Sequence, residues 1–329
     1  MAGQVRFPGK LIAAALLPVL AVTAALAQDR PAGYPLRPIR IIVSSVPGGG
    51  LDMISRTVAQ MLTDRWGQTV VVDNRTGGGT IVATEISARA APDGYTLFAG
   101  TDTLNIVGAT RRVPFDVRKA FDPVVPMTQQ PYILMTQPGL PVKNIRELAA
   151  YSLSQPLSYG SSGVGTAGHL GMEQLAVLAK AKFVHVPYKG GAASMLGVLG
   201  GEIHMYPGVL LSAASAIKTG KMRTLAAMGL KRIPVLLDLP TVAEQGFPGF
   251  KIVNSYSLYA PAGTPKPILL ALSRAVGEFM ASPKMSQKLI SEGSHPPDGA
   301  MTPDEFRAYT LREYAEVERQ VKNLDVKIY

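Results

Sequence analysis

The chain has 329 residues, of which 47% are hydrophobic and 17% charged, with a formal net charge of +10. That balance gives enough apolar material for two ordinary domains and excludes wholesale disorder. With no cysteine and only four scattered histidines, disulfides, thiolate chemistry and Cys- or His-based zinc sites are excluded or unsupported.

Residues 1–27 read as an export leader. Arg6 and Lys10 precede an apolar run, Leu11–Leu26, that ends in Ala25-Leu26-Ala27 before polar Gln28-Asp29-Arg30. The run is long enough for a membrane anchor, but Pro18 and the Ala-x-Ala ending favour a cleaved signal, hence a periplasmic protein. Cleavage removes Arg6 and Lys10 and no acid, taking the charge from +10 to +8. No Lys/Arg run of nucleic-acid type is present.

Ile39–Arg56, IRIIVSSVPGGGLDMISR, reads as a strand, a glycine turn and the start of a helix running from Asp52 to Trp66. Backbone N–H groups and a helix N-terminus gathered at Gly48-Gly49-Gly50 make either an anion cradle or simply a tight turn, with Asp52 capping the helix. A second unit follows: strand Val70–Val72, glycine turn Asp73–Thr80 and helix Ile81–Ala91. Strand Tyr95–Ala99 then leads to Gly100–Thr103. Alternating βαβ units predict a parallel sheet, with both glycine turns and Thr101 at its carboxyl edge, where ligands bind.

The pattern then repeats. Strand Pro131–Gln137 and helix Asn144–Tyr151 precede strand Leu157–Tyr159 and the hydroxyl-rich turn Gly160–His169. A helix Leu170–Ala179 and a strand Lys182–Val186 lead to the turn Pro187–Gly191 and a helix Ala192–Leu199. Strand Ile203–Tyr206, helix Ser212–Thr219 and strand Arg223–Met228 complete this half. Asp238–Phe250 reads as a short helix and Val253–Tyr259 as a strand, before helices at Lys266–Ala281, Lys284–Glu292 and Pro303–Leu324. Two α/β lobes with small-residue loops at their strand ends predict one cleft between them, with the last helices returning to the first lobe.

These residues resemble the Bug (TctC-like) family, the periplasmic solute-binding proteins of tripartite tricarboxylate transporters. The motifs are Pro47-Gly-Gly-Gly-x-Asp52, Val72-Asp73-Asn74-Arg75, Ala90–Leu97, Ser161-Ser162-Gly163-x-Gly165 with His169-Leu170, Val184–Gly190, Leu239–Glu244 and Ala260–Pro265. They span the whole mature chain in the family's order. The resemblance implies two Rossmann-like lobes with a central ligand cleft, the type II periplasmic binding protein (Venus flytrap) fold. Lobe 1 would comprise 28–130 and 252–329, and lobe 2 131–251. It further implies a monomer without enzyme activity or cofactor that takes a small organic carboxylate to a membrane permease. By position, the first lobe would offer Pro47, Gly48, Gly49, Asp52, Gly77, Gly78, Thr80 and Thr101. The second would offer Ser161, Ser162, Gly165, Thr166, His169, Tyr188, Lys189 and Pro207.

Pro207-Gly208 stands where many relatives carry Asp or Asn, and Thr80-Ile81 where Asn is common. The first departure favours a less polar or aromatic far end of the ligand. Several roles stay open on residue type alone. Asp52 is a loop fastener or a ligand contact, His169 a structural polar group or a contact, and Lys189 a carboxylate partner or a solvated residue. A sensing receptor shares every feature so far. A hydrolase centred on Ser161 or Ser162 lacks the GxSxG elbow, and a dinucleotide enzyme lacks GxGxxG.

Overall fold

A computed structural model describes residues 30–110, 113–295 and 301–324; the leader expected over 1–27 lies outside them. The first strands and helices are β1 (Ile39–Val43), α1 (Gly50–Trp66), β2 (Val70–Asn74), α2 (Ile81–Ala88), β3 (Thr96–Thr101), α3 (Thr103–Thr110) and β4 (Phe121–Pro131). Next come β5 (Ile133–Thr136), α4 (Ile145–Ser154), β6 (Leu157–Ser161), α5 (Ala167–Ala179), β7 (Phe183–Pro187) and α6 (Gly191–Leu199). The rest are β8 (Met205–Gly208), α7 (Leu210–Lys218), β9 (Arg223–Ala227), β10 (Val253–Pro261), α8 (Lys266–Met280), α9 (Pro283–Ser291) and α10 (Pro303–Leu324).

The strands form two five-stranded mixed sheets, ordered β2-β1-β3-β10-β4 and β7-β6-β8-β5-β9. β1 is parallel to β2 and β3, whereas β10 is antiparallel to β3 and β4. β1 lies between two partners and buries Ile39, Ile41, Ile42 and Val43, which explains its near-continuous apolar run. α1 covers it with Leu51, Ile54, Val58, Leu62 and Trp66, one helical stripe. Gly67, at φ +70°, stops that helix by donating its N–H to the Thr63 carbonyl at 2.9 Å.

The two sheets are joined where strands cross. β4 continues into β5 with only Tyr132 between them, and the chain returns through Ile252 into β10. Tyr132 N–H donates to the Ile252 carbonyl, and Met228 N–H to the Tyr132 carbonyl. α10 packs on α3 and β4 and reaches α5, so that Val317 and Val321 lie against the core of the second sheet.

Three features differ from the sequence expectation. β4 was not expected; it carries Pro123 and Pro126 as an edge strand, where a missing N–H costs no ladder bond, and its register shifts nearby. α3 was not expected either; Asn105 and Gly108 give it little helix propensity, and burial of Leu104, Ile106 and Val107 holds it. Asp238–Phe250 is not a helix but a run of turns. A Thr241–Glu244 capping pair starts one turn, and Gly246 at φ +106° ends it.

Just past β3, the Asp102 carboxylate accepts the Ser255 N–H of β10 at 2.8 Å, tying the returning strand to the loop after Thr101. Burial raises the Asp102 pKa from the ordinary 3.8 to about 7. The Ser255 hydrogen bonds and Lys251 oppose that shift, and Glu313 of α10 adds to it. The folded state therefore holds this proton more tightly than the unfolded chain. The associated stability is complete below about pH 4 and is lost as pH rises through 7. Asp102→Asn should accordingly flatten the fall in melting temperature between pH 4 and 8 and stabilise the protein at pH 8. Parallel profiles for variant and parent would contradict this.

Candidate functional site

In each sheet the parallel strands end at one edge, and the helices that follow them begin there. Those helices are α1, α2 and α3 after β1, β2 and β3, and α5, α6 and α7 after β6, β7 and β8. The two edges face each other and touch. A Cβ built on Gly190, ahead of α6, would lie 3.8 Å from a Val46 methyl in the loop after β1. The expected first-lobe residues Pro47, Gly48, Gly49, Gly77, Gly78, Thr80 and Thr101 gather at the first edge. Ser161, Ser162, Gly165, Thr166, His169, Tyr188 and Lys189 gather at the second, and Pro207 lies buried within β8.

The helix starts at this seam share one property. α1, α2, α5, α6 and α7 have Gly49, Thr80, Thr166, Gly190 and Val209 as N-caps, and none of these N-cap side chains bonds a first-turn N–H, as is also true of α8 and α9 away from the seam. α4, which begins at the opposite edge, is capped in full. Asn144 Oδ1 accepts the Glu147 N–H at 2.9 Å, and Glu147 Oε2 accepts the Lys143 N–H at 2.8 Å. The first-turn N–H groups of a helix have no intrahelical acceptor, and they sit at the positive end of its dipole. Several such ends aimed at one seam suit an anion.

Side chains add to this. The hydroxyls of Ser45 and Thr80 are buried and make no hydrogen bond. Thr80 also has φ +84°, a left-handed conformation that a β-branched residue adopts only at a cost of about 1–3 kcal/mol. Ser45 was not expected from the sequence; nothing in a Ser-Ser-Val-Pro run distinguishes an orphaned hydroxyl from a solvated one.

Asp52 is 2% exposed and stands in the first turn of α1, not at its N-cap, which is Gly49. Its Oδ2 accepts the Gly48 N–H at 2.9 Å and Arg56 Nε at 3.0 Å, and its Oδ1 accepts Asn74 Nδ2 at 2.9 Å. Asn74 Nδ2 also donates to the Ser45 carbonyl at 2.9 Å. Burial pushes the Asp52 pKa up, but the bonds from Arg56, Gly48 and Asn74 outweigh it and hold the carboxyl below its usual range. Its oxygens are thus committed to the glycine loop and the end of β2.

The second edge has a matching undercarriage. Ser161, 1% exposed, accepts the Gly163 N–H at 3.1 Å and lies 2.9 Å from the Gly163 carbonyl and 2.7 Å from His185 Nε2. His169 Nδ1 accepts the Gly165 N–H at 3.0 Å, which leaves Nε2 protonated in the neutral ring. The rings of His169 and His185 stack at 3.9 Å, and Tyr159 stacks on His185 at 5.1 Å while its hydroxyl donates to Glu173 at 2.5 Å. Burial lowers the His185 pKa to about 4, so this imidazole is uncharged at neutral pH. The Ser161–His185 pair is the contact a hydrolase would need, but the Ser161 hydroxyl is also bonded to Gly163 of the loop. Tyr188 turns its hydroxyl to Glu202 at 3.0 Å, and Lys189 is exposed.

The family described as tripartite tricarboxylate transporter family receptor matches residues 54–306. The protein BugT of Bordetella pertussis is 30% identical over 309 residues, 91% of this chain and 93% of that one. A Rhodopseudomonas palustris structure, Rpa4515 with adipate, superposes with a TM-score of 0.84 at 31% identity, covering 88% of this chain and 98% of the other. MatC from the same organism, with bound malate, gives 0.82 at 27%, covering 88% and 100%. The matching family is described as one of transporter receptors. The chain belongs to the tripartite tricarboxylate transporter receptor family, the Bug proteins, and has their two-lobed periplasmic binding fold.

Proposed function

We propose that this protein captures a small organic carboxylate in the periplasm and delivers it to a membrane permease of the tripartite tricarboxylate type. The observation that carries the reading is the seam itself. Helix starts without side-chain caps, and two orphaned hydroxyls, converge where two sheet edges meet. Carboxylate oxygens accept such bonds, and they gain from the helix ends without needing a buried cation. The adipate and malate complexes of the two relatives support the same ligand class. We take residues 28–130 with 252–329 as one lobe and 131–251 as the other, with closure turning on the crossings at Tyr132 and Ile252. Pro47–Gly49, Gly77–Thr80 and Thr101 serve one end of the ligand, and the Ser161–His169 and Tyr188–Lys189 loops the other. Pro207, buried in β8, can offer the ligand no side-chain hydrogen bond. Cleavage after Ala27 releases the mature chain.

A thermal-shift panel of mono-, di- and tricarboxylates, acidic amino acids and aromatic acids tests this reading. An acid present at 100 times its dissociation constant should stabilise the fold by about 2.7 kcal/mol, seen as a saturable rise in melting temperature without consumption of the acid. No response to any carboxylate, or turnover of one, would refute it.

Asp52 supplies a second test. Asp52→Ala should lower stability by about 1–3 kcal/mol, because the Gly48 and Asn74 donors lose their acceptor, and it should weaken carboxylate binding by loosening the glycine loop. Tighter binding in the variant would instead put the Asp52 charge against the ligand.

A further inference from the structure

Three tyrosines that the glycine-loop motifs do not include lie against glycines in the first turns of seam helices. Tyr256 stands on β10 opposite Thr101, and its hydroxyl lies where a Cβ on Gly50 would be, 2.6 Å from that position. Gly50 opens α1. Tyr206 stands on β8, and its hydroxyl lies 2.5 Å from the Cβ position of Gly191, which opens α6. Tyr132, in the crossing between the sheets, has ring carbon Cε1 3.7 Å from the Cβ position of Gly168 in the first turn of α5. The three side chains are 4–9% exposed. They also act on one another electrostatically: Tyr206 opposes ionisation of Tyr256, and both oppose that of Tyr132. Burial pushes the Tyr206 pKa up to about 12 and raises those of Tyr132 and Tyr256, so all three are neutral O–H donors at any physiological pH.

Tyr256 belongs to the first sheet and Tyr206 to the second. Gly191 directly follows Gly190, the residue that meets Val46 across the seam, and Gly50 closes the loop that carries Val46. Each hydroxyl therefore stands beside an uncapped helix start on its own side of the seam. A carboxylate bound at that start is within reach of the adjacent phenol. A side chain on either glycine would displace the hydroxyl, which gives glycine at positions 50 and 191 a role besides backbone freedom.

Resting on the carboxylate-receptor reading above, we propose that Tyr206 and Tyr256 set ligand specificity. Each phenol donates a hydrogen bond to one end of an organic anion that carries an acceptor group at both ends, and Tyr132 walls the side nearest the strand crossing.

The test is calorimetric titration of the purified protein with adipate, malate and hexanoate. The variants are Tyr206→Phe, Tyr256→Phe and Gly191→Ala, the last displacing the Tyr206 hydroxyl without deleting it. Each Phe variant should bind the better of the two diacids about 10-fold more weakly, the effect of losing a hydrogen bond to a charged group, while still unfolding cooperatively, since the Tyr206 bond to Ser212 and the Tyr256 bonds to Asn254 and Gln130 are all that the ligand-free fold loses. Gly191→Ala should reproduce the Tyr206→Phe loss, and hexanoate, lacking the second acceptor, should bind the parent at least about 10-fold more weakly than that diacid. Parent-like diacid affinity in both Phe variants, or hexanoate binding as tight as the diacid, overturns the proposal while leaving the receptor reading intact. Failure of the parent protein to bind either diacid overturns this proposal, whereas the receptor reading falls only if no acid of the wider panel binds.

Discussion

The first-turn N–H groups of a helix have no acceptor within the helix, and this fold collects several helix starts along one line. Five helices start at the seam between the sheets with no side chain closing their first turn. The rest of the molecule can be understood as what makes that arrangement tolerable. Parallel strands bring the helix starts to a common edge. Glycines let the backbone turn from strand to helix without side chains filling the seam. Gly190, lacking a side chain, leaves the Val46 methyls room on the other side of the seam, so the two edges approach closely.

Such loops would be floppy if they were held only by their own backbone, and both are fastened from beneath. On one side, the Asp52 carboxylate and the Asn74 amide link the glycine turn, the start of α1 and the end of β2. On the other, Ser161 holds Gly163 and His169 holds Gly165, with His185 bonded to the Ser161 hydroxyl behind them. In both cases the titratable group is occupied by the loop. This division of labour separates the residues that position the site from the backbone that forms it. It also accounts for conspicuous groups, such as the Ser161–His185 pair, having a structural use in a transport receptor.

Much of this was legible in the chain. The apolar run Ile41–Val43, the glycine clusters after it and the α1 stripe from Leu51 to Trp66 follow local rules that tertiary contacts did not overturn. β4 was hidden because its prolines obey a rule for interior strands while the strand lies at an edge. α3 was hidden because burial, not propensity, makes it a helix. At the site, the loops could be named but their partners could not. Asp102, Ser45, Tyr206 and Tyr256 matter through contacts made by residues distant in sequence, and no spacing rule brings Tyr256 beside Gly50.

The position of β10 has a consequence for how the chain assembles. The second sheet is built from one uninterrupted stretch, Ile133 to Ala227, and needs nothing from elsewhere to close its ladder. The first sheet cannot do so. Its fourth strand in spatial order, inserted between β3 and β4, is β10, which begins only at Val253. Until that strand is made, β3 and β4 expose unpaired edges and have no bond to each other. The ladder of the second sheet can therefore form before that of the first, although its core is completed only when Val317 and Val321 of α10 arrive.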